Sequence, residues 1–432
     1  MPAAATGTPR YRKFHPYSIP PHAIAHGAPA SYYTLYAPNP VNGGIRLEIY
    51  LDNAATSHPK PECVTRAVEE ALTTFNANPG RAGHDRALAA GRIVLGAREA
   101  LANVLDADDA FSVVHTFNCT DALNLAIKGC LKTGDHVVST MLEHNSILRV
   151  LMEKKQRGEI DVTLVRPRGW FIDPKDIRSA LRRNTRLIAV THASNVTGAV
   201  QPVREICSLA HEKGILSLVD GAQYLGTSPV SVQSLKCSLY AFPGHKSLLG
   251  PAGTGGLYIA PGISLATLRE GGTGSVSDSM LQPPDAPERY EAGTVNLPGI
   301  AGLRAGAEYA AKNLSLIRAR EGILSDMLYS GAKNIPGITL YSPPEAVSRA
   351  GIVTLNLGDM SSSELADALN RAGILTRGGL HCAPGAHEVL GTLQRGSVRL
   401  SVGHATRPDE IEYTLRTLYY LSHGLDISRT RT

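Results

Sequence analysis

The sequence has no C-x-x-C pair: its six cysteines, Cys63, Cys119, Cys130, Cys207, Cys237 and Cys382, are scattered through 432 residues. That scatter excludes the usual zinc-ligand spacing and a disulfide framework, so each cysteine is read alone and no metal is expected. No apolar run approaches the ~20 residues that a membrane-spanning helix needs, and the first residues lack the basic-then-apolar order of a secretory signal. A cytoplasmic protein without a membrane partner is the expectation. Excess charge is also scarce: the formal net charge is +5, and Arg10, Arg12, Lys13 and Arg46 against Glu48 supply most of it. The near balance of the remaining chain is not the footprint of a nucleic-acid binder. No internal repeat is visible.

What is present is globular material, 43% hydrophobic and 19% charged. The length exceeds what one core usually supports, which predicts a large domain with a smaller companion. Residues 1–48 are rich in Pro, Ala, Gly and Tyr without a sustained period and read as an N-terminal extension. A helix-like stretch begins near Pro61, with Val64, Ala67, Val68, Ala71 and Leu72 at helical spacing. Strand-like and helix-like segments then alternate: FSVVHTF, DALNLAIKGCL, DHVVST, SILRVLMEKKQ, DVTLVRP, RLIAVTHAS, VREICSLAHEK, ILSLVD, SLYAFPG and GGLYIA. Near-continuous apolar strands separated by helices predict a mainly parallel sheet covered on both faces. From about residue 305, a long helical stretch followed by ITLYSP, GIVTLNL, SSELADALNRAG and GSVRLSVG reads as a smaller α+β domain. The domains expected are 49–75 as the start of the body, belonging with the small domain, 76–305 as the large domain, and 306–432 as the small C-terminal domain.

In a parallel α/β sheet, ligands bind beyond the carboxyl ends of the strands, so the residues just after each strand matter most. Asp220 follows ILSLV, and a carboxylate there needs a cationic partner unless it only caps a turn. Gln223 stands three residues later. Lys246 follows SLYAFPGH in a glycine-rich loop; alone it is a solvated charge, but His245 and the nearby glycines favour a Schiff-base lysine. Cys119 and Thr120 open a helix, where backbone N–H groups and a hydroxyl either cradle a phosphate or simply cap. His144 follows another strand as a structural histidine or a stacking and proton-moving ring. Asn195 follows RLIAVTHAS, in turn chemistry or in reach of a ring hydroxyl. Arg377 and Cys382 share a glycine-rich loop, and Arg399 lies on GSVRLS, suited to a two-pronged carboxylate contact. Cys382 alone among the cysteines lies between breaker residues and is the candidate accessible thiolate. Cys130 and Cys207 sit on apolar helix faces as ordinary core residues.

The ordered set YLDNAAT, NPGRAGH, CTDALNL, EHNS, SNVTG, VDGAQ, GHK, EAGTVN, RGGLHCAP and VRLSVG, from about Ile49 to about Leu421, resembles the cysteine desulfurase family of the class V aminotransferases. The resemblance implies an aspartate-aminotransferase-like large domain, pyridoxal 5'-phosphate as cofactor, and a homodimer. It implies that Lys246 carries the cofactor, that Asp220 pairs with the pyridinium, and that His144 stacks on the ring. Gln223 and Asn195 would contact the ring hydroxyl, while Cys119, Thr120 and His245 would lie at the phosphate. Thr294, in EAGTVN, would reach the phosphate of the neighbouring subunit. Arg399, with Arg377 and Asn195, would hold the substrate, and Cys382 would take sulfur from L-cysteine as a persulfide, for delivery to a sulfur-acceptor protein. The sequence departs from the family pattern at Pro243, where a Ser or Thr usually precedes Gly-His-Lys. Related chemistries on the same lysine are selenocysteine lyase, cysteine C–S lyase, and aminotransferase or epimerase; a different class is a non-catalytic scaffold of the same fold.

Overall fold

The computed structural model describes residues 48–79, 83–276 and 278–425. The expected extension, save Glu48, lies outside them, as does part of NPGRAGH. Among the described residues thirteen strands form three sheets: β1 Ile49–Tyr50, β2 Val113–Thr116, β3 Asp135–Thr140, β4 Ile160–Val165, β5 Thr185–Thr191, β6 Leu216–Asp220, β7 Leu239–Pro243, β8 Gly255–Ile259, β9 Ile338–Leu340, β10 Ile352–Leu357, β11 Ile374–Leu375, β12 Arg377–Gly379 and β13 Ser397–Ser401.

The largest sheet has the order β2-β8-β7-β6-β5-β3-β4. The pairs β3/β4, β3/β5, β5/β6 and β6/β7 are parallel, while β8 runs antiparallel to both β7 and β2. This is the mainly parallel sheet the sequence pattern predicts, with β8 as the reversed strand. The exception has a simple cause: no helix lies between β7 and β8, so the chain returns directly beside the strand it has left. Because β2 and β7 flank the same reversed strand, β2 shares the direction of β7. The carboxyl ends of β2, β3, β5, β6 and β7 therefore emerge on one edge.

Both faces of this sheet are covered, as the apolar strands require. One core joins Val138, Ile188, Val190, Val219, Tyr240 and Phe242 with helix residues such as Leu101 and Ile206. The other joins Val137, Leu187, Ala189, Leu218 and Leu257 with Leu123, Ile127 and Ile147. Alternate residues of each strand thus enter opposite cores, as the two-residue period of a strand dictates. Cys130 and Cys207 are buried within these cores.

The second sheet, β12-β13-β10-β9, is antiparallel, and β1 pairs in parallel with β11. Ile49 and Leu51 share a core with Val353, Leu355, Val398 and Leu400. The helix Leu297–Lys333 runs unbroken through residue 305. The helix near Pro61 spans Glu62–Thr73 and buries Val64 and Ala71, while Leu72 is exposed. Asp85–Leu105 forms a further helix that the apolar pattern did not announce, because its buried side is largely alanine. Pro243 is tolerated because it closes β7: the ladder to β6 ends at Ala241, so no bond to that strand is lost.

Candidate active site

Two strand ends carry helices that begin beside the candidate residues. After β2, the helix Cys119–Cys130 is capped by Asn118, whose side chain accepts from Asp121 N. The sequence left Thr120 as the alternative cap. Its hydroxyl instead lies 2.7 Å from Ser146 Oγ, which lies 2.9 Å from His144 Nδ1. His144 itself caps the helix Asn145–Gln156 after β3. After β6, Asp220 accepts from Ala222 N at 2.9 Å, the turn contact foreseen as its ordinary use, and also from the Cys119 thiol at 3.6 Å. After β7, the turn Gly244–Lys246 is strapped by the 52–60 segment. Ser57 N and Lys60 Nζ donate to His245 O at 3.1 and 2.7 Å, and Ser57 Oγ donates to Lys246 O at 2.9 Å. Gln223 Nε2 donates to Ala54 O at 3.0 Å, joining the turn after β6 to the same segment.

The second sheet brings the arginines. Register places Arg377 directly opposite Arg399 on β12 and β13. Like charges so paired are destabilising unless anions compensate them. The buried Arg399 donates through Nη2 to Asp52 Oδ1 and through Nη1 to Asn195 O, each at 3.0 Å. Its Nε is buried without a partner among the described residues. Arg377 Nη2 donates to Cys382 Sγ at 3.6 Å. The backbone of the cysteine loop is fixed to the first sheet, since Asn195 Nδ2 donates to His381 O at 2.6 Å and Asn145 N to Cys382 O at 2.7 Å.

These groups form one electrostatic neighbourhood. Burial lowers the Lys246 pKa, with Asp220 and Cys119 opposing and Arg399 and Arg377 adding to the effect. An amine poised this way reaches its nucleophilic neutral form more readily. Burial also lowers His144, opposed by Asp220 and reinforced by Lys246, Arg377 and Arg399. Cys119 is pushed well up by burial and then by Asp220, so it stands as a neutral thiol donating to that carboxylate. His245 is lowered to about 4, chiefly by burial, and its Nδ1 is buried without a partner among the described residues.

Cys119, Thr120, His144, Asn195, Asp220, Gln223, His245, Lys246, Arg377, Cys382 and Arg399 thus stand around the adjoining ends of two sheets. Thr294 does not join them. It is exposed, and lines a separate cleft of about 460 Å³ with His115, Phe117, Gly253, Arg269 and Asn296. Its loop is anchored by a buried pair between Arg98 and Glu291, and Glu291 also accepts from His115 N. Asp52, Ser57, Lys60 and Ser146 escaped the sequence reading. Asp52 and Ser146 lie within YLDNAAT and EHNS, and Ser57 and Lys60 just beyond the first, but no role could be read from these motifs without the contacts.

Residues 49–414 match the family model described as aminotransferase class-V, and the chain belongs to that family. A protein of Methanothermobacter thermautotrophicus named probable cysteine desulfurase is 36% identical over 383 residues, covering 87% of this chain and 94% of the relative. The cysteine desulfurase of Haloferax volcanii is 32% identical, over 79% of this chain and 82% of its own. The apo structure of the cysteine desulfurase from Thermococcus onnurineus NA1 superposes with a TM-score of 0.79 at 30% identity, covering 88% of this chain and 95% of that one. Within its family the chain stands with the cysteine desulfurases. Among the described residues no helix is long and apolar enough to cross a membrane, and no group of side chains is placed to hold a metal.

Beside His144, Glu143 is fully buried and its pKa is raised to about 8, first by burial. Thr140 donates to Oε1 at 2.6 Å, while Oε2 has no partner among the described residues. A raised folded pKa means that the folded state binds the extra proton. The stabilisation is therefore full below the unfolded value of about 4.5 and is lost as pH rises through about 8. Glu321, also raised to about 8 by burial, contributes with the same sign. Urea unfolding from about pH 5 to about pH 9 should show Glu143→Gln losing less stability with rising pH than the parent protein. Parallel curves for the two would contradict a buried neutral Glu143.

Proposed function

We propose that the chain is a pyridoxal-phosphate-dependent cysteine desulfurase that takes sulfur from L-cysteine onto Cys382 and releases alanine. The observation that carries this reading is the seat of Cys382: its sulfur lies 3.6 Å from Arg377 and its carbonyl is bonded to the residue after His144.

The donor set fits the cofactor. A buried carboxylate at Asp220 suits a pyridinium nitrogen, and an unpartnered His245 Nδ1 beside the depressed amine of Lys246 suits a phosphate-bearing aldehyde. Thr120 and Ser146 offer hydroxyls at two helix starts. Lys246 would hold the group, with His144, Gln223 and Asn195 around its ring and Cys119 against Asp220. When bound, pyridoxal phosphate supplies an electron sink for negative charge at the substrate Cα.

The chain's own residues supply the rest. Arg399, fixed by Asp52 and Asn195, takes the substrate carboxylate through N–H groups those two bonds leave free, the buried Nε among them, with Arg377 adding charge. The Lys246 amine, once free, removes the Cα proton. Cys382 as thiolate attacks the substrate sulfur. An S–S bond forms, the Cβ–S bond breaks with its electron pair passing to carbon, and protonation leaves alanine and a persulfide on Cys382. The single-residue reach of the compact loop suits an acceptor protein that comes to the cysteine.

We extend the reading to a cytoplasmic homodimer in which Thr294, exposed at its cleft, serves the neighbouring subunit. Residues 76–305 form the cofactor domain, and the small domain combines 49–75 with 306–432. Purified protein supplied with pyridoxal phosphate, L-cysteine and a reducing thiol should yield alanine and sulfide in equal amounts. Alanine without sulfide, or sulfide without alanine, would point to one of the related chemistries instead.

A further inference from the structure

The cysteine loop has a conformation that the catalytic reading does not explain. His381 and Cys382 are consecutive non-glycine residues with positive φ, 51° and 57°. Each such backbone state is disfavoured and persists only where surrounding contacts over-determine it. The two carbonyl anchors from Asn195 and Asn145 hold the outside of the loop. Its inside is held by side chains. His381 Nε2 lies 3.1 Å from Arg377 O, His381 Nδ1 lies 3.3 Å from His387 Nε2, and His387 Nδ1 lies 2.8 Å from Thr392 Oγ1.

The direction of this chain follows from its end. A carbonyl oxygen only accepts, so His381 carries its proton on Nε2. Both rings are buried, and burial lowers their pKa values to about 3 and about 4, so each is neutral with one proton. His381 Nδ1 then accepts from His387 Nε2–H, and His387 Nδ1 accepts from the Thr392 hydroxyl. The rings lie 5.5 Å apart and within 23° of parallel, as two imidazoles joined edge to edge in one plane should be. Hydrogen bonds thus run Thr392 to His387 to His381 to Arg377, closing residues 377–392 on themselves around the sulfur.

We propose that His387 is a positioning residue for Cys382: by donating to His381 it locks the left-handed turn that seats Sγ against Arg377. This rests on the role of Cys382 proposed above. His387 lies in the short helix Pro384–Val389 and is itself fully buried.

The test uses the cofactor-loaded enzyme with His387→Ala, His387→Gln and Thr392→Val. For His387→Ala, kcat for alanine formation should fall on the order of 100-fold, the loss that a displacement of about 1 Å produces, with KM for cysteine nearly unchanged. Hydrogen–deuterium exchange should accelerate in peptides covering 380–383, while the cofactor absorbance stays as in the parent. His387→Gln, whose amide can donate to His381, should restore both slow exchange and most of kcat. Thr392→Val should move both readouts in the same direction by less, and decides the matter if the alanine variant does not fold. Parental exchange and kcat in His387→Ala, or no recovery in the glutamine variant, would overturn the proposal. Loop exchange is read without turnover, so a Cys382→Ala enzyme that still released alanine would sink the desulfurase reading and leave the loop result separate.

Discussion

Cys382→Ala should lose alanine formation from L-cysteine by on the order of 10³-fold or more, because the substrate sulfur then has no acceptor. The cofactor spectrum should be unaffected. Cys382 is bonded to Asn145 N, at the helix start after β3, through its backbone carbonyl, which alanine retains, and Asp220, His144 and Lys246 keep their contacts. The other cysteines are poor substitutes. Burial pushes Cys130 and Cys207 up to about 12 and Cys237 well above its usual value, and Cys119 is held as a neutral thiol against Asp220. Cys63 is raised as well, and it packs toward the helix Leu297–Lys333. Sulfur-35 from labelled cysteine should appear on the peptide containing Cys382 in the parent protein. Transfer of label to any other cysteine, with turnover intact in the alanine variant, would refute the assignment.

The second large effect falls on Lys246. Lys246→Ala should lower turnover by on the order of 10² to 10⁴-fold for the missing base alone. It should also abolish covalent retention of the cofactor. Borohydride treatment followed by peptide mass spectrometry should find a pyridoxyl group on Lys246 in the parent and none in the variant. The burial that lowers this amine's pKa is set by its surroundings, with Arg399 and Arg377 acting in the same direction. A labelled lysine elsewhere would move the cofactor away from Asp220 and remove the argument built on that pair. Together the two variants separate the claims, since Lys246 tests the cofactor and Cys382 tests what is done with it.

Much of the fold was legible because its signals are local. Ten segments read from apolar periodicity correspond to seven strands and three helices of the body, Val113–Thr116 through Gly255–Ile259. Asp220, Lys246, His144 and Asn195 could be picked out because parallel strands deliver their carboxyl ends to one edge, so position after a strand is already position in space. Where locality failed, so did the reading. Asn118, a favoured capping residue two positions before Thr120, takes the cap with its own side chain, and Thr120 is left to meet Ser146. The reversal of β8 depended on the absence of a crossover helix, which apolar content does not register.

The amino-acid sequence by itself determined the alternation of elements, the family, and which residues stand just beyond the strands of the large sheet. Each of these follows from short-range periodicity or from an ordered set of motifs. Only the tertiary structure decided the partners. Arg399 meets Asp52 across 347 positions and Asn195 across 204. Cys119 meets Asp220 across 101 positions, and the left-handed turn at Cys382 is held by anchors from Asn145 and Asn195. The physical reason is common to all of them. A hydrogen bond or ion pair of this kind is fixed by the packing of one sheet against another, and no neighbour in the chain carries information about it.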